Sequence, residues 1–377
     1  MTTYTEREFK SILIVRKFID SWFWDRYGVN PYQGCQFGCI YCDSRSEKYR
    51  LPSDFENDII VKKDPAGMLD RRLSRARILL PDVVAMSGAS DPYHHDEARF
   101  ESTRRCVEVL EKHSYPVHVL TKSRLVLRDL DLLEQVGRNN WCCVSVTITA
   151  TDPDVARFLE PKSPSPRTRF DVVKTIKDKT QHIQAGVLLI PVVPYLSDSD
   201  KDLEAVVRGA MEAGADYVLF GGAMTMRDQQ ASWFLKHLKD SRPELLGKYE
   251  ELYGFTYEPG SYRGDYMAKD SYNMSITRRF LDLCEEYRMP FRIKRFIPDD
   301  YRAENYRIAE KLLNEAYLLM VTGKSWTALH WAGMNIQNLK ESIVEVAGRG
   351  ELRSIRSVSG KIEDLILNYL SQRLAEH

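Results

Sequence analysis

Between residues 80 and 225, short β-branched runs alternate with stretches of helical period, and few folds accommodate that order. Asp82-Val83-Val84-Ala85-Met86 reads as a strand that ends at Ser87-Gly88, and Ala98 to Lys112 follows as a helix. Pro116 to Thr121 is the next strand, and Leu125 to Gln135 the next helix. Cys142 to Ala150 is a strand rich in Val, Thr and Ile, followed by a helix over Thr168 to Lys179. Ile183 to Pro191 is a buried strand, Asp200 to Ala213 a helix closed by Gly214, and Tyr217 to Phe220 a strand that ends at Gly221-Gly222. Alternation at this spacing predicts βαβ units and a parallel sheet. One more strand near Tyr27 to Asn30 brings the count to about six βα units, short of the eight of a closed barrel. The expected fold is therefore α/β, a partial (β/α)6 TIM-like barrel with its active site at the C-terminal ends of the strands.

Beyond residue 225 the strand signals fade. Gln229 to Asp240, Tyr272 to Tyr287 and Glu304 to Leu319 read as helices, and Gly254 to Asp270 as a Gly- and Tyr-rich loop. Residues 327 to 373 are helical with a turn at Ser357-Val358-Ser359-Gly360. The expected organisation is a core over 1–225, a helical extension over 226–300 and a helical region over 301–377. At roughly 150 residues per domain, 377 residues suit two or three domains.

Lys+Arg and Asp+Glu are both 54, so no global basic field exists to capture nucleic acid, although a local basic face is still open. The longest apolar stretch, Val187 to Leu196, is far short of a membrane span and holds two prolines. Glu6, Arg7, Glu8 and Lys10 precede any apolar run, so no signal peptide and no membrane partner are expected, and the expected location is cytoplasmic.

Seven cysteines, an odd number, argue against a disulfide framework, and three of them fall within eight residues. Gly34-Cys35-Gln36-Phe37-Gly38-Cys39-Ile40-Tyr41-Cys42 has the spacing C-x3-C-x2-C. Three thiolates on one short loop can hold three irons of a cubane cluster and leave the fourth open to a substrate or cofactor. Gly34 and Gly38 let the backbone wrap closely around a bulky group. A structural zinc site would need a fourth ligand, and no second Cys or Cys/His pair lies nearby.

On this loop the sequence resembles the radical S-adenosylmethionine (radical SAM) superfamily, whose signature is C-x3-C-x-aromatic-C on a partial (β/α)6 barrel. Within it, the chain is most similar to the spore photoproduct lyase-like group, often labelled DNA repair photolyases. Asn30-Pro31-Tyr32-Gln33-Gly34-Cys35, Ser87-Gly88-Ala89-Ser90-Asp91-Pro92-Tyr93, Thr121-Lys122-Ser123 and Leu159-Glu160-Pro161 carry the resemblance. It implies a [4Fe-4S] cluster on Cys35, Cys39 and Cys42, with S-adenosylmethionine (SAM) chelated at the open iron. It also implies an external reducing partner such as flavodoxin or ferredoxin. Reductive cleavage of SAM would yield a 5′-deoxyadenosyl radical that takes hydrogen from the substrate. Resemblance and barrel logic together put Ser87 and Ser90 at the amino end of the cofactor and Lys122 at its carboxylate. Thr147 falls at the methionine or ribose end, and Tyr41 and Ile190 beside adenine.

Two departures stand out. The resembling lyases carry a tyrosine directly after the third cysteine, where this chain has Asp43. They also carry, after the second strand, a cysteine that returns hydrogen to the substrate radical, and Ser87 to Asp91 contains none. Cys143 would face the same side as Thr147 but about 13 Å deeper, at 3.3 Å per residue, and reads as packing.

Residues 304 to 372 are similar to the helix-hairpin-helix domain of family X DNA polymerases, with Ser357-Val358-Ser359-Gly360 where the hairpin glycines stand. A helical cap on the barrel fits these residues equally well. Arg292, Lys294, Arg295, Arg302 and Arg307 interleave with Phe291, Phe296, Tyr301 and Tyr306, which suits nucleic acid or an ordinary packed interface. The preferred reading is a radical SAM enzyme of lyase-like type acting on DNA or RNA. The alternatives are a radical SAM enzyme acting on a small metabolite or peptide, and a non-enzymatic metal- or nucleic-acid-binding protein.

Overall fold

The computed structural model describes residues 2–51, 54–86, 88 and 90–375. Its strands are β1 (Thr3–Arg7), β2 (Leu13–Val15), β3 (Tyr27–Val29), β4 (Tyr32–Gln33), β5 (Asp58–Lys62), β6 (Val84–Met86), β7 (Val117–Thr121), β8 (Cys142–Thr147), β9 (Ile183–Leu189) and β10 (Val218–Phe220). The main sheet has the order β10-β9-β8-β7-β6-β3-β2. From β3 to β10 every neighbouring pair in it is parallel, so six parallel strands form an open sheet. This is the partial barrel expected from the alternation, closed into no ring.

The strands are apolar because helices cover one face and the interior fills the other. All residues of β6, β8 and β10 are buried. The connecting helices start where capping chemistry permits. Asp152, Ser165 and Ser199 each accept a backbone N–H of the first helical turn, and Pro153 and Pro166 occupy positions that need no donor. Where one helix is expected over Ala98 to Lys112, there are two, Glu97–Phe100 and Ser102–Lys112, because Glu101 sits between them at φ 49°. A second sheet, β1-β5-β4, lies beside the first half of the chain.

The chain divides into two compact units, Met1–Ile14 with Tyr27–Ile293, and Val15–Arg26 with Lys294–His377. Residues 226–293 therefore share a unit with the parallel strands. In that unit the helix Asp228–Ser241 buries Ala231, Phe234, Leu235 and Leu238, with Phe234 tilted against Tyr249 at 5.3 Å.

In the second unit, helices Arg302–Val321, Thr327–Ile336, Ile343–Gly348 and Gly360–Ala375 surround Ile308, Leu312, Ile336, Ile343, Leu352, Ile362 and Ile366. The turn expected near 357–360 is present: the Val358 N–H donates to the Ile355 carbonyl at 3.1 Å, and Ser357 takes φ +69°, the conformation glycine adopts most easily. The basic and aromatic mixture around residue 300 is largely internal. Arg295 stacks on Trp24 and Tyr306 at 4.6 and 4.2 Å, Arg302 is buried against Asp300, and Arg307 pairs with Glu304. Arg295 and Arg302 are packed, as an ordinary interior interface requires, whereas Arg307 is half-buried. Among the described residues no helix is long and apolar enough to cross a membrane.

Phe234 has no exposed surface, and Phe234→Ala should lower the unfolding free energy by about 3–5 kcal/mol, read from urea denaturation. A loss below about 1 kcal/mol would mean that the 228–241 helix is not held by this ring.

Candidate active site

The three cysteines lie on a loop between β4 and β5 whose backbone is fixed from several directions. The Cys35 N–H donates to the Phe55 carbonyl at 2.8 Å and the Ile40 N–H to the Leu159 carbonyl at 2.9 Å. Arg45 reaches back to the carbonyls of Cys39 and Gly38 at 3.2 and 3.4 Å, pairs with Glu56, and lies between the rings of Phe55 and Trp233. Both glycines are required by the loop's packing against the chain's own atoms. Gly34 has φ +90°, and a Cβ there would lie 2.8 Å from the carbonyl oxygens of Asp58 and Phe55. Gly38 has φ +64°, and its Cβ would meet the Glu56 carboxylate at 2.6 Å. The loop closes tightly only because no side chain stands at either position.

Parallel register brings the strand ends to this loop. Thr121 pairs with Val146, so Lys122 and Thr147 emerge side by side at the C-terminal ends of β7 and β8. The loop after β6 folds onto the cysteines: Ser90 donates to the Gly34 carbonyl. Asp91 accepts from the Thr121 hydroxyl and the Lys122 N–H, both at 2.7 Å, and from the Tyr93 N–H at 2.9 Å. Ser87 lies outside the described residues. Ile190 follows β9, half-buried, with its side chain against the Gly221 backbone.

At the centre is a buried ionic cluster that sequence reasoning did not assemble. Glu160 pairs with Arg169, and both side chains are about 1% exposed. The same carboxylate accepts the Tyr41 hydroxyl, which also bonds Thr149 at 3.0 Å, and lies 3.9 Å from the Lys122 ammonium. Arg169 spends its other donors on the Thr147 and Pro164 carbonyls at 2.8 and 2.9 Å. Tyr41, Lys122 and Thr147, expected around one ligand, thus share one network, with Glu160 and Arg169 as the residues that sequence reasoning missed. The Leu159-Glu160-Pro161 segment was the available signal; nothing in the sequence paired it with Arg169.

Burial disfavours the Lys122 ammonium, but the Cys39 sulfur and the Glu160 carboxylate outweigh it and hold the lysine above its usual range. Burial also opposes ionisation of Glu160, and Arg169 and Lys122 overcome it, so this carboxylate stays ionised. Burial pushes the Cys39 thiol up to about 12, against the pull of Lys122. Cys35 is raised by burial, then by Asp91 and the other two cysteines. Among the described residues no three Cys, His, Asp or Glu side chains converge on a single metal ion. Three thiols on a tightly wrapped loop, each able to take a separate iron, fit a polynuclear cluster better than one zinc. The other four cysteines are buried elsewhere; Cys143 bonds the Tyr217 hydroxyl at 3.1 Å at the opposite end of β8 from Thr147.

The profile of the radical SAM superfamily matches residues 29–208. An uncharacterized protein of Mycobacterium tuberculosis (strain ATCC 25618 / H37Rv) is 30% identical over 268 residues, 70% of this chain and 75% of the relative. An uncharacterized protein of Methanocaldococcus jannaschii is 30% identical over 174 residues, 46% of this chain and 62% of that protein. Among solved structures, a spore photoproduct lyase mutant with bound AdoMet and dinucleoside spore photoproduct has a TM-score of 0.54 at 15% identity, covering 72% of this chain and 78% of the other. A second lyase mutant has a TM-score of 0.55 at 16% identity over the same shares. At such identity these structures share the fold.

If the three thiols hold iron, the triple Cys→Ala variant at 35, 39 and 42 should, after anaerobic reconstitution, lose both bound iron and the thiolate–iron absorption near roughly 400 nm. Iron content equal to wild type would move the site elsewhere. Profile, relative and fold agree: the chain belongs to the radical SAM superfamily, whose members carry a [4Fe-4S] cluster and use S-adenosylmethionine.

Proposed function

We propose that this enzyme holds its cluster on Cys35, Cys39 and Cys42 and uses SAM to abstract a hydrogen atom from a nucleic-acid substrate. The observation that carries the reading is the gathering of Lys122, Ser90 and Asp91 at the cysteine loop, beside Tyr41, where parallel strands end. When bound, the cluster and SAM supply a 5′-deoxyadenosyl radical by one-electron cleavage of the sulfonium. The chain's own residues bind and orient. Lys122, kept charged by Glu160, offers an ammonium to the methionine carboxylate, and its 3.9 Å separation from Glu160 leaves it able to turn toward a ligand. Ser90 flanks the amino end, Thr147 the methionine or ribose end, and Tyr41 and Ile190 the adenine. Burial of the network keeps water from the reacting end. An external electron carrier reduces the cluster.

Nucleic acid is favoured as the substrate because the fold is shared with a lyase solved with a dinucleoside spore photoproduct. Repair of that lesion is not the expected reaction. The loop after β6 lacks the thiol that would return hydrogen, and the buried Cys143 lies near the far end of β8.

Lys122→Ala should weaken SAM binding by about 1.5–3 kcal/mol in calorimetry, the range for charged hydrogen bonds, and leave iron content intact. Unchanged affinity would remove Lys122 from the cofactor site.

Reduced enzyme given spore-photoproduct dinucleotide should cleave SAM without returning intact thymine dinucleotide over repeated turnovers, as read by mass spectrometry. Binding to single-stranded oligonucleotides should weaken as salt rises. Clean repair would overturn the first expectation. Salt-independent or absent binding would favour a small metabolite or peptide as the substrate.

A further inference from the structure

Asp43, where the resembling lyases carry a tyrosine, has a built environment of its own. Its carboxylate accepts Arg227 Nη2 at 2.6 Å and the Tyr49 hydroxyl at 2.7 Å. The Arg227 guanidinium lies 5.9 Å from the centre of the Tyr49 ring and 5.2 Å from that of Tyr266. Arg227 immediately precedes the helix Asp228–Ser241, and that helix is tied to the cysteine loop twice more. Ser46 donates to Asp228 at 2.7 Å, and the Gln230 side chain donates to the Tyr41 carbonyl at 3.1 Å. Asp43 directly follows Cys42, so a carboxylate and its guanidinium partner stand one residue from a cysteine of the loop. Their side chains are 37% and 22% exposed, wet enough to be screened in part but fixed by direct contact.

We infer that Asp43 and Arg227 are positioning residues that set the reduction potential of the cluster. The inference rests on the reading that Cys35, Cys39 and Cys42 hold that cluster. Reduction adds an electron to a group already surrounded by three thiolates, so a nearby cation favours the reduced state and a nearby anion opposes it. With both charges present, their effects largely offset. With one removed, the other acts alone, and the two single variants must move the potential in opposite directions. A purely structural role would loosen the loop in either variant and would not produce opposite signs.

The test is an EPR-monitored redox titration of reconstituted protein, with iron content measured alongside. Arg227→Gln should lower the potential, Asp43→Asn should raise it, and the double variant should return toward wild type. Both shifts should shrink as salt rises. Arg227→Lys, which keeps the charge, should stay near wild type. Tyr49→Phe, which removes only a hydrogen bond to Asp43, should lower the potential by a smaller step and covers the case in which a charge variant fails to fold. Shifts of the same sign in both single variants, or none in any variant, overturn the inference while the cluster assignment stands. A wild-type protein that takes up no iron on these cysteines brings down the assignment itself.

Discussion

A carboxylate buried with its guanidinium partner organises the mouth of this barrel. Glu160 and Arg169 are both withdrawn from water, and neither charge could be there alone: removing one partner of such a pair typically costs about 3–5 kcal/mol. Several groups beside the cysteines lean on the pair. Arg169 caps the end of β8 through the Thr147 carbonyl, and Glu160 takes the Tyr41 hydroxyl and faces Lys122. Because the segment containing Glu160 also accepts the Ile40 N–H at the Leu159 carbonyl, the ion pair and the cysteine loop are fixed to each other. A hydrophobic substitute could pack the same space, but it could not keep an ammonium charged beside a thiol.

Ion pairs border the cysteine loop. Burial disfavours ionisation of the Cys35 and Cys39 thiols, and Lys122 opposes that effect at Cys39. Lys122, Arg45 and Arg227 each face a carboxylate near the cysteine loop. Cations held in this way can balance an iron–sulfur group without collapsing onto it. The tightness of the loop has a second cause in Gly34 and Gly38, where backbone and carboxylate oxygens occupy the space of a side chain.

The remaining thiols bear on the chemistry by where they are. Cys143, Ser145, His118 and Tyr217 form a buried polar layer across β7, β8 and the start of β10, bonded to one another. A thiol engaged there fills the interior and is not a hydrogen donor at the mouth. In the second unit the arginines that could have met a phosphate stack on Trp24 and Tyr306 or pair with neighbouring carboxylates.

Periodicity and spacing are local properties, and what depends on them was legible in the chain alone. The six parallel strands follow from β-branched runs separated by helical stretches, and the cysteine loop from three thiols and two glycines in nine residues. The placement of Lys122 and Thr147 side by side follows from strand ends and parallel register. What the chain hid involves partners far apart in sequence. Glu160 finds Arg169 and Lys122, and Asp43 finds Arg227 across 184 positions, because strand order, not local pattern, decides which loops meet. The β1-β5-β4 sheet escaped notice because Thr3–Arg7 is largely solvent-facing and carries no apolar alternation. Val15–Arg26 joins the C-terminal unit through contacts such as Trp24 on Arg295, which no local signal encodes. Sequence determined the elements and the cysteine loop; tertiary structure decided which charges surround it, since a buried charge takes its meaning only from the partner that folding brings to it.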